Sequence, residues 1–314
     1  MADPVIAIGG ENLIDRVTEG GITESHPGGS PFNVAVAAAR QGGMVHYVSP
    51  ISTDEWGVLL AARLQEAGVT LTGGRNDLPT TMALVTITDG IPAYLFKRGS
   101  TAERAVTAQS LAQSIGTDVA TLHTGSLTLI DGADAGAWEQ TLAAAHKRGV
   151  LVSLDPNVRL TIISDLDSYR ARIFRILAHV HLLKLSDEDL TGLFPDLSQD
   201  AAMAQLLSLT TAHLTVLTRG SDGASAWING TRIDAPASKV DPLEDTVGAG
   251  DTFMASLLVG LGTMGYLSPA GLSQLSPSDV ARLLHRATQA AALNCAKAGC
   301  NPPTLFELES ALSP

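Results

Sequence analysis

Residues 245–261 read D-T-V-G-A-G-D-T-F-M-A-S-L-L-V-G-L, a turn of small residues followed by an apolar run. The small residues at 248–250 let the backbone approach a ligand closely, and the run from Phe253 to Leu261 predicts a buried helix. Free N–H groups at the start of such a helix, together with its dipole, favour an anion. Asp251 places a carboxylate in that positive first turn. It is either an ordinary helix cap or a functional acid, and the rest of the sequence must decide between the two.

Composition limits the class of protein. The chain has 314 residues, of which 45% are hydrophobic and 17% charged, which indicates a globular protein large enough for a substantial core. Its formal net charge of −12 argues against nonspecific binding to nucleic acid or to an anionic membrane. Two cysteines, Cys295 and Cys300, provide neither a disulfide framework nor a four-ligand zinc site. The N-terminus lacks the pattern of a signal peptide, and we expect a soluble, cytoplasmic protein.

Apolar runs that predict buried strands alternate with helical patterns along most of the chain. Strands are predicted at 5–10, 45–52, 121–126, 150–154, 180–185 and 214–218, and helices at 31–41, 55–67, 135–147, 168–179, 201–207, 253–261 and 280–298. In the first of these helices, Ser30 is predicted as the N-cap. Polar residues follow strand after strand at the same end, where open α/β sheets bind ligands. The pattern therefore predicts an α/β fold with one crevice.

One segment interrupts this alternation. Thr81 to Arg98 contains two β-rich runs around Asp89-Gly90, which is a strong hairpin signal. A hairpin inserted into an α/β repeat is not expected to join the parallel sheet, so we predict a separate small β element that covers a site. A second hairpin is predicted to turn at Asn229-Gly230.

The glycine-rich turn and its acid fit phosphoryl transfer. That reaction needs alignment of the two substrates, a base for the hydroxyl proton and donors for the charge on the transferring group. Asp251 can be the base, and the N–H groups of residues 248–250 can be the donors. The sequence contains neither G-x-x-x-x-G-K-[ST] nor a G-x-G-x-x-G motif after a strand. The predicted phosphate site at 248–250 therefore belongs to neither of the two common phosphate-binding motifs.

In this order, Gly28-Gly29 before a helix, Asn157 at a strand end and the D-T-V-G-A-G-D of 245–251 resemble the ribokinase-like (PfkB) carbohydrate kinases. The resemblance covers essentially the whole chain, and G-E-N-L-I-D, G-G-S-P-F-N-V-A, D-P-N-V-R and K-L-S-D-E-D-L are most similar to bacterial fructokinases. It implies a three-layer α/β/α fold with a mostly parallel central sheet. It also implies one domain over 1–314, with a small β lid formed mainly by 12–30 and 78–106.

The resemblance implies a function and a role for individual residues. The expected reaction is ATP-dependent phosphorylation of a sugar, D-fructose to fructose 6-phosphate, with Asp251 as base and Gly248, Ala249 and Gly250 as anion hole. The sugar would be bound by Asp15, Gly28, Gly29, Asn33, Arg104, Asn157 and Arg159. The nucleotide would be bound by Lys184, Ser186, Thr218, Gly220, Gly223, Gly248, Gly250 and Asn294.

The resemblance also implies two metal ions. Mg²⁺ would enter with ATP and be held largely through water, with Asp189 as its protein partner. A monovalent cation such as K⁺ would be bound by Asp245 and the Val247 carbonyl. The family's usual N-x-x-E motif here reads Ser186-x-x-Asp189, and the common A-D-R at the lid's end reads Ala102-Glu103-Arg104.

Alternatives remain open at this point. A 2-keto-3-deoxygluconate kinase shares the D-P-N-x-R stretch, and its acidic substrate would need an extra cation such as Arg98 or Arg104. Other sugar or nucleoside kinases of the family are also compatible. A non-catalytic sugar sensor would be expected to have lost the base or the anion hole. A redox enzyme lacks its glycine motif, because the first strand is followed by Gly9-Gly10-Glu11-Asn12. The exposed lid could pair two copies of the chain.

Overall fold

The computed structural model describes residues 4–88 and 91–313. The predicted turn at Asp89-Gly90 lies outside the described residues. The strands are β1 Val5–Ile8, β2 Leu13–Glu19, β3 Ile22–Gly28, β4 Met44–Tyr47, β5 Ile51–Ser52, β6 Thr70–Leu71, β7 Arg75–Asn76, β8 Thr81–Thr88, β9 Ile91–Lys97, β10 Val119–Gly125, β11 Leu151–Asp155, β12 Leu182–Ser186, β13 Leu214–Thr218, β14 Ala224–Ile228 and β15 Thr231–Ala235. The helices are α1 Ser30–Arg40, α2 Glu55–Glu66, α3 Ala108–Ile115, α4 Gly132–Lys147, α5 Leu166–Leu177, α6 Asp187–Leu193, α7 Gln199–Leu209, α8 Ala249–Thr263, α9 Pro269–Leu272, α10 Pro277–Cys295 and α11 Leu305–Leu312.

A large sheet of nine strands forms the centre, in the order β15-β14-β13-β12-β11-β10-β1-β4-β6. The pairs from β13 through β6 are parallel, and the hairpin of β14 and β15 adds two antiparallel strands at one edge. This hairpin turns at Asn229-Gly230, as the sequence predicts, and Asn229 has a φ of 48°. The mostly parallel sheet is therefore confirmed, and its carboxyl ends meet along one edge.

The core lies on both faces of this sheet, because successive side chains of a strand point to opposite faces. In β1, Ile6 and Ile8 pack in the cluster that includes α1, α2, α8 and α10. Val5 and Ala7 pack in the other cluster, with α3 to α7. Helices on both sides of a mostly parallel sheet make the predicted three-layer α/β/α arrangement.

A second sheet has four strands in the order β3-β2-β8-β9, and we call it the small sheet. Strands β2 and β8 run parallel, while β3 and β9 pair antiparallel at the two edges. The β-rich runs around Asp89-Gly90 thus stay out of the large sheet, as predicted. Two of its strands, β2 and β9, carry side chains to the edge of the large sheet where the parallel strands end.

Three local predictions were wrong. The strand predicted at 45–52 is divided into β4, which lies in the large sheet, and β5, which pairs with β7 in a separate two-stranded sheet. The N-cap of α1 is Gly29 and no side chain caps this helix, because the Ser30 hydroxyl donates to a carboxylate elsewhere in the fold. The helix predicted at 280–298 is α10, which begins at Pro277 after a capping box between Ser276 and Asp279 and ends at Cys295. The chain after Cys295 leaves the helix and forms a loop, in which the Gly299 N–H donates to the Asp245 carboxylate at 2.9 Å and the Asn301 N–H to the Asn294 side chain at 3.0 Å.

Within residues 4–88 and 91–313, no helix combines the length and the apolar character needed to cross a membrane.

Candidate active site

A cavity of about 630 Å³ lies at the carboxyl ends of the parallel strands, beneath the small sheet. The loops after β10, β11, β12 and β13 contribute to its wall, and so does the start of α8. Of the residues predicted for the site, those that line this cavity are Asp15, Gly29, Asn33, Asn157, Arg159, Lys184, Ser186, Asp189, Thr218, Gly220, Val247, Gly248, Gly250 and Asp251. The sequence prediction of a single crevice at the strand ends therefore agrees with the structure.

Asp251 lies in the first turn of α8 and is buried, with 8% of its surface exposed. Its Oδ1 accepts a hydrogen bond of 2.7 Å from the Ser30 hydroxyl, and its Oδ2 accepts one of 2.8 Å from Asn33 Nδ2. Burial raises the pKa of Asp251, and these two donors oppose that rise because they stabilise the carboxylate. The acid is therefore oriented on both oxygens at the cavity wall, which distinguishes it from an ordinary cap.

The turn before α8 lines the cavity through Gly248 and Gly250, whereas Ala249, also predicted for the anion hole, does not line it and its N–H donates to the Thr246 carbonyl at 3.2 Å. Gly248 is the N-cap residue and has a left-handed φ of 76°. A β-carbon there would lie 2.3 Å from Cys300 Sγ, so both the conformation and the space require glycine. A β-carbon at Gly250 would lie 3.1 Å from Lys184 Nζ. The turn thus brings a helix N-terminus and an ammonium group together, and both favour an anion.

Lys184 is buried and its Nζ donates to Asp155 Oδ2 at 2.7 Å. Burial disfavours the charge on Lys184, but the nearby carboxylates of Asp155 and Asp189 outweigh it and raise the pKa of the ammonium. Asp155 was not singled out from the sequence. Its position as the last residue of β11 was the only available signal, because its partner lies 29 residues away on β12.

The part of the cavity next to the small sheet combines polar and apolar walls. Asp15, Asn157 and Arg159 line it together with Leu13, Phe96 and Leu127. Burial raises the pKa of Asp15 to about 6, against the favourable charges of His26 and Arg159. Asn157 has a φ of 41°, a conformation rare for residues other than glycine and often found at functional sites. The mixture of apolar surface and few polar groups suits a small hydroxylated ligand.

The two glycines before α1, Gly28 and Gly29, are needed because neighbouring atoms leave no room for a β-carbon at either position. A β-carbon on Gly28 would lie 2.3 Å from Asp15 Oδ2, and one on Gly29 would lie 2.5 Å from the Glu11 carbonyl oxygen. Gly29 lines the cavity, whereas Gly28 makes room for Asp15 from the neighbouring strand.

Behind this pair, Glu11 accepts hydrogen bonds from the Ser30 N–H and the Thr128 hydroxyl.

A second cavity of about 550 Å³ adjoins the first, and Thr218, Gly220, Thr246 and Gly250 line both. Gly223, also predicted for the nucleotide, lines the second cavity. Its walls are otherwise largely apolar and come from the loop before α8 and from α8 and α10, including Val240, Leu243, Phe253, Ala291 and Ala292. The sequence reasoning did not identify these apolar residues, since nothing local distinguishes them from core positions.

The structure places Asn294 outside both cavity walls. Its side chain is fully buried, donates to the Val247 carbonyl at 2.8 Å and accepts from the Asn301 N–H at 3.0 Å. Asp245 has a similar place, because its carboxylate accepts from the N–H groups of Val247 and Gly299. These contacts tie the turn before α8 to the loop after α10.

Ser186 and Asp189 form a capping box at the start of α6. Asp189 Oδ2 accepts from the Ser186 N–H at 2.8 Å, and Oδ1 accepts from the Val158 N–H at 2.6 Å. Both residues still line the cavity, together with Asp187 and Glu188. In the described part of the chain, no group of three or more His, Cys, Asp or Glu residues could hold a metal ion by itself.

The two arginines considered for the lid are engaged elsewhere. Arg104 donates to both carboxylate oxygens of Asp134 at 2.8 Å and to Asp131. Arg98 donates to Asp131 and to the Leu127 carbonyl. Neither arginine lines the large cavity, so the structure does not bring Arg104 to the other predicted sugar ligands.

Two adjoining cavities meet at a helix N-terminus that carries an oriented acid, an arrangement that suits transfer of an anionic group to a hydroxylated small molecule. The family model for pfkB family carbohydrate kinases matches residues 10–305. A fructokinase from Rhizobium leguminosarum bv. trifolii is 34% identical over 237 residues, which cover 75% of this chain and 72% of the relative. Fructokinase-2 of Zea mays is 33% identical over 264 residues, 80% of this chain and 78% of its own length.

Comparison of the fold with solved structures also finds similarity to a fructokinase. A structure of fructokinase with bound ATP from Xylella fastidiosa superposes with a TM-score of 0.90 at 26% identity, covering 98% of both chains. The chain belongs to the pfkB family of carbohydrate kinases, and its fold is the ribokinase-like fold that the sequence motifs indicated. The enzyme is therefore a phosphotransferase with an alcohol group as acceptor.

Proposed function

We propose that this kinase transfers the γ-phosphoryl group of ATP to D-fructose and produces fructose 6-phosphate and ADP. The observation that carries the proposal is the position of Asp251 in the wall of the first cavity, directly after Gly250, which lines both cavities. The choice of fructose rests on the relatives named fructokinases in bacteria and plants. A cytoplasmic location, where ATP is available, is part of this proposal.

In this mechanism, the sugar occupies the cavity next to the small sheet, and its hydroxyl faces Asp251. The hydroxyl oxygen bonds to the γ-phosphorus while the bond from that phosphorus to the β,γ-bridging oxygen breaks, and ADP leaves with the electron pair. Asp251 accepts the hydroxyl proton. The N–H groups of Gly248 and Gly250 and the Lys184 ammonium stabilise the charge on the transferring group, while the Ala249 N–H is held by the Thr246 carbonyl.

The adenine and ribose of ATP would occupy the second cavity, against the apolar residues of α8 and α10. Its phosphates would extend past Thr218 and Gly220 toward the turn. The acids at 187–189 line the cavity and suit a hard cation that keeps part of its water shell. Bound Mg²⁺ would supply charge neutralisation of the phosphates. A monovalent cation near Asp245 and Val247, and pairing of two chains through the small sheet, also remain proposals.

The small sheet would act as the lid of this site. It carries Asp15 and Phe96 into the cavity wall, and exclusion of water during transfer is the usual purpose of such a cover. The domain is then a single kinase domain with the lid formed mainly by 12–30 and 78–106.

The first prediction concerns Asp251. Replacing it by Asn keeps the size of the side chain but removes the base, so kcat should fall by roughly 10²–10⁴-fold while binding of sugar and ATP changes little. Steady-state kinetics and calorimetric titration would measure the two effects. Asp200→Asn is the control, since Asp200 also lies in the first turn of a helix but is exposed and lines neither cavity. Near-normal turnover of the Asp251 variant would exclude this mechanism.

A substrate panel separates fructose from the alternatives. ADP production should be followed with fructose, 2-keto-3-deoxygluconate, ribose and nucleosides, and fructose should give the largest kcat/KM. The acidic sugar is not favoured by the structure, because Arg98 and Arg104 are paired with Asp131 and Asp134. Absence of ADP production with every sugar would instead support a sensor without catalysis.

A further inference from the structure

Ser30 occupies a position in which its backbone is held from several sides. Its N–H donates to Glu11 Oε1 at 3.1 Å. Gly29 precedes it with a φ of 108°, and a β-carbon there would meet the Glu11 carbonyl at 2.5 Å. Pro31 follows and restricts its own φ, and a β-carbon on Gly10 would lie 2.4 Å from the Pro31 ring. The Ser30 side chain therefore projects from a backbone with little freedom to move.

The hydroxyl of Ser30 is not used as its local sequence would suggest. A serine next to a helix start normally caps it by accepting from a backbone N–H, but α1 has no side-chain cap. The Ser30 hydroxyl donates instead to Asp251 Oδ1 at 2.7 Å, across a separation of 221 residues. Ser30 and Asp251 each have only 8% of their surface exposed, so water competes little for this contact.

Ser30 and Asn33 together determine the orientation of Asp251. One donor bonds to each carboxylate oxygen, which defines the plane of the group and leaves further lone pairs on both oxygens for a sugar hydroxyl. The charged groups around Asp251 are Lys184 and Arg159, which favour its ionised form, and Asp15 and Asp155, which oppose it. The Ser30 hydroxyl, like Lys184 and Arg159, favours the ionised form of Asp251, but it does so as a neutral hydrogen-bond donor.

We propose that Ser30 is a positioning residue for the base: its hydroxyl sets the orientation of the Asp251 carboxylate and helps keep it ionised. This inference rests on the proposed function of Asp251. It assigns to the serine of the G-G-S-P-F-N stretch a part in the chemical step that is separate from sugar binding, although Ser30 also lines the cavity.

Ser30→Ala tests this role through the pH profile. A hydrogen bond to a buried charged group stabilises that charge substantially. Loss of the Ser30 hydroxyl should therefore lower kcat at neutral pH about tenfold. The acid limb of the kcat profile should move up by about one pH unit, because the carboxylate loses a donor and binds a proton more readily. KM for sugar and for ATP should stay within about twofold.

Ser256→Ala is the matched control. Ser256 lies on α8 five residues after Asp251, is fully buried, and its hydroxyl has no hydrogen-bond partner among the described residues. Its replacement removes the same atom as Ser30→Ala, but from a buried position on the helix that carries Asp251, and should leave kcat and the acid limb unchanged. An acid limb in Ser30→Ala that coincides with the wild type, or a change that appears only in KM, would contradict the proposal.

A measurement without turnover separates this proposal from the proposed function. Ser30→Ala and Asp251→Ala are combined in a double-mutant cycle of unfolding free energies from urea denaturation. If the hydroxyl serves the carboxylate, the destabilisation caused by Ser30→Ala should shrink by about half or more in the Asp251→Ala background. Additive effects would overturn the Ser30 inference whether or not a sugar is phosphorylated. Absence of sugar-dependent ADP production in the wild type, with coupling intact, would overturn only the proposed function.

Discussion

At the scale of single residues, burial of charge dominates the site. Asp251, Asp155, Glu11 and Lys184 are all buried, and each is compensated by a donor or an opposite charge. Burying these charged groups costs free energy. It also holds them in fixed positions, and charges that need no reorientation during the reaction stabilise the transition state of phosphoryl transfer. Lys184 shows most clearly that a buried charge depends on its partner, since removal of Asp155 would leave the ammonium without its hydrogen-bonded carboxylate in the interior.

Asp15 gives a prediction about pH. Asp15 is a proposed sugar ligand, and burial raises its pKa to about 6, so the sugar KM should rise as the pH falls through 6 and the carboxylate is lost as an acceptor. Asp15→Asn should have a high KM that no longer changes over this range. Steady-state kinetics between pH 5 and 8 would measure it.

The same shift in pKa predicts an effect on stability. A raised pKa means that the ionised form is less favourable in the folded protein than in the unfolded chain, so its cost is present above pH 6 and vanishes toward pH 4. Asp15→Asn should therefore raise the melting temperature at pH 8 by a few degrees and have no effect at pH 4. The exposed Asp118→Asn is the control. A lower melting temperature at pH 8 would contradict this reasoning.

At the scale of elements, the start of α8 is the decisive piece. The apolar residues 253–261 bury this helix between α1 and α10, and its first turn is left at the cavity. Helix α10 also holds the preceding turn, through Asn294 and the backbone carbonyl of Cys295. The geometry of the proposed anion hole therefore depends on packing between two helices and not on the turn alone.

Two glycines of this turn should respond differently to alanine. Gly248→Ala places a side chain in a left-handed conformation against Cys300 Sγ, and should lower the unfolding free energy by about 2 kcal/mol or more. Gly250→Ala gains helix propensity and meets only the end of Lys184, so its stability should change by less than about 1 kcal/mol. Both should reduce kcat, because both add a methyl group to the proposed anion hole. Urea denaturation and kinetics measure the two quantities, and equal losses of stability would contradict the prediction.

At the scale of the whole molecule, the large sheet and the small sheet have different roles in the enzyme. The large sheet brings its strand ends to one edge, and the small sheet returns to the body through the segment after β9. In that segment, Arg104 donates to Asp134 and Asp131 at the start of α4. The sugar-binding role predicted for Arg104 from the sequence remains a prediction, and this pairing offers a different role, as an anchor of the small sheet.

The anchor role can be tested from both ends of the pair. Arg104→Ala and Asp134→Asn should each lower the melting temperature and raise the sugar KM by a similar factor of a few-fold, because both break one partly buried ion pair. Their double variant should be no worse than either alone. If Arg104→Ala raises KM tenfold or more while Asp134→Asn leaves it unchanged, the arginine binds the sugar directly.

The sequence alone determined the α/β class, the crevice at the strand ends, the glycine turn and the acid that follows it. These depend on local patterns, such as the period of apolar residues and the needs of a tight turn, which lie within a few residues of one another. Tertiary structure decided the partners: Ser30 with Asp251, Asp155 with Lys184, Arg104 with Asp134, and Asn294 with the Val247 carbonyl. The residues of such pairs are far apart along the chain, and only the packing of helices and strands brings their side chains within bonding distance. The Ser30 hydroxyl illustrates the difference, because its local sequence predicts a helix cap, whereas in the fold it donates to the Asp251 carboxylate.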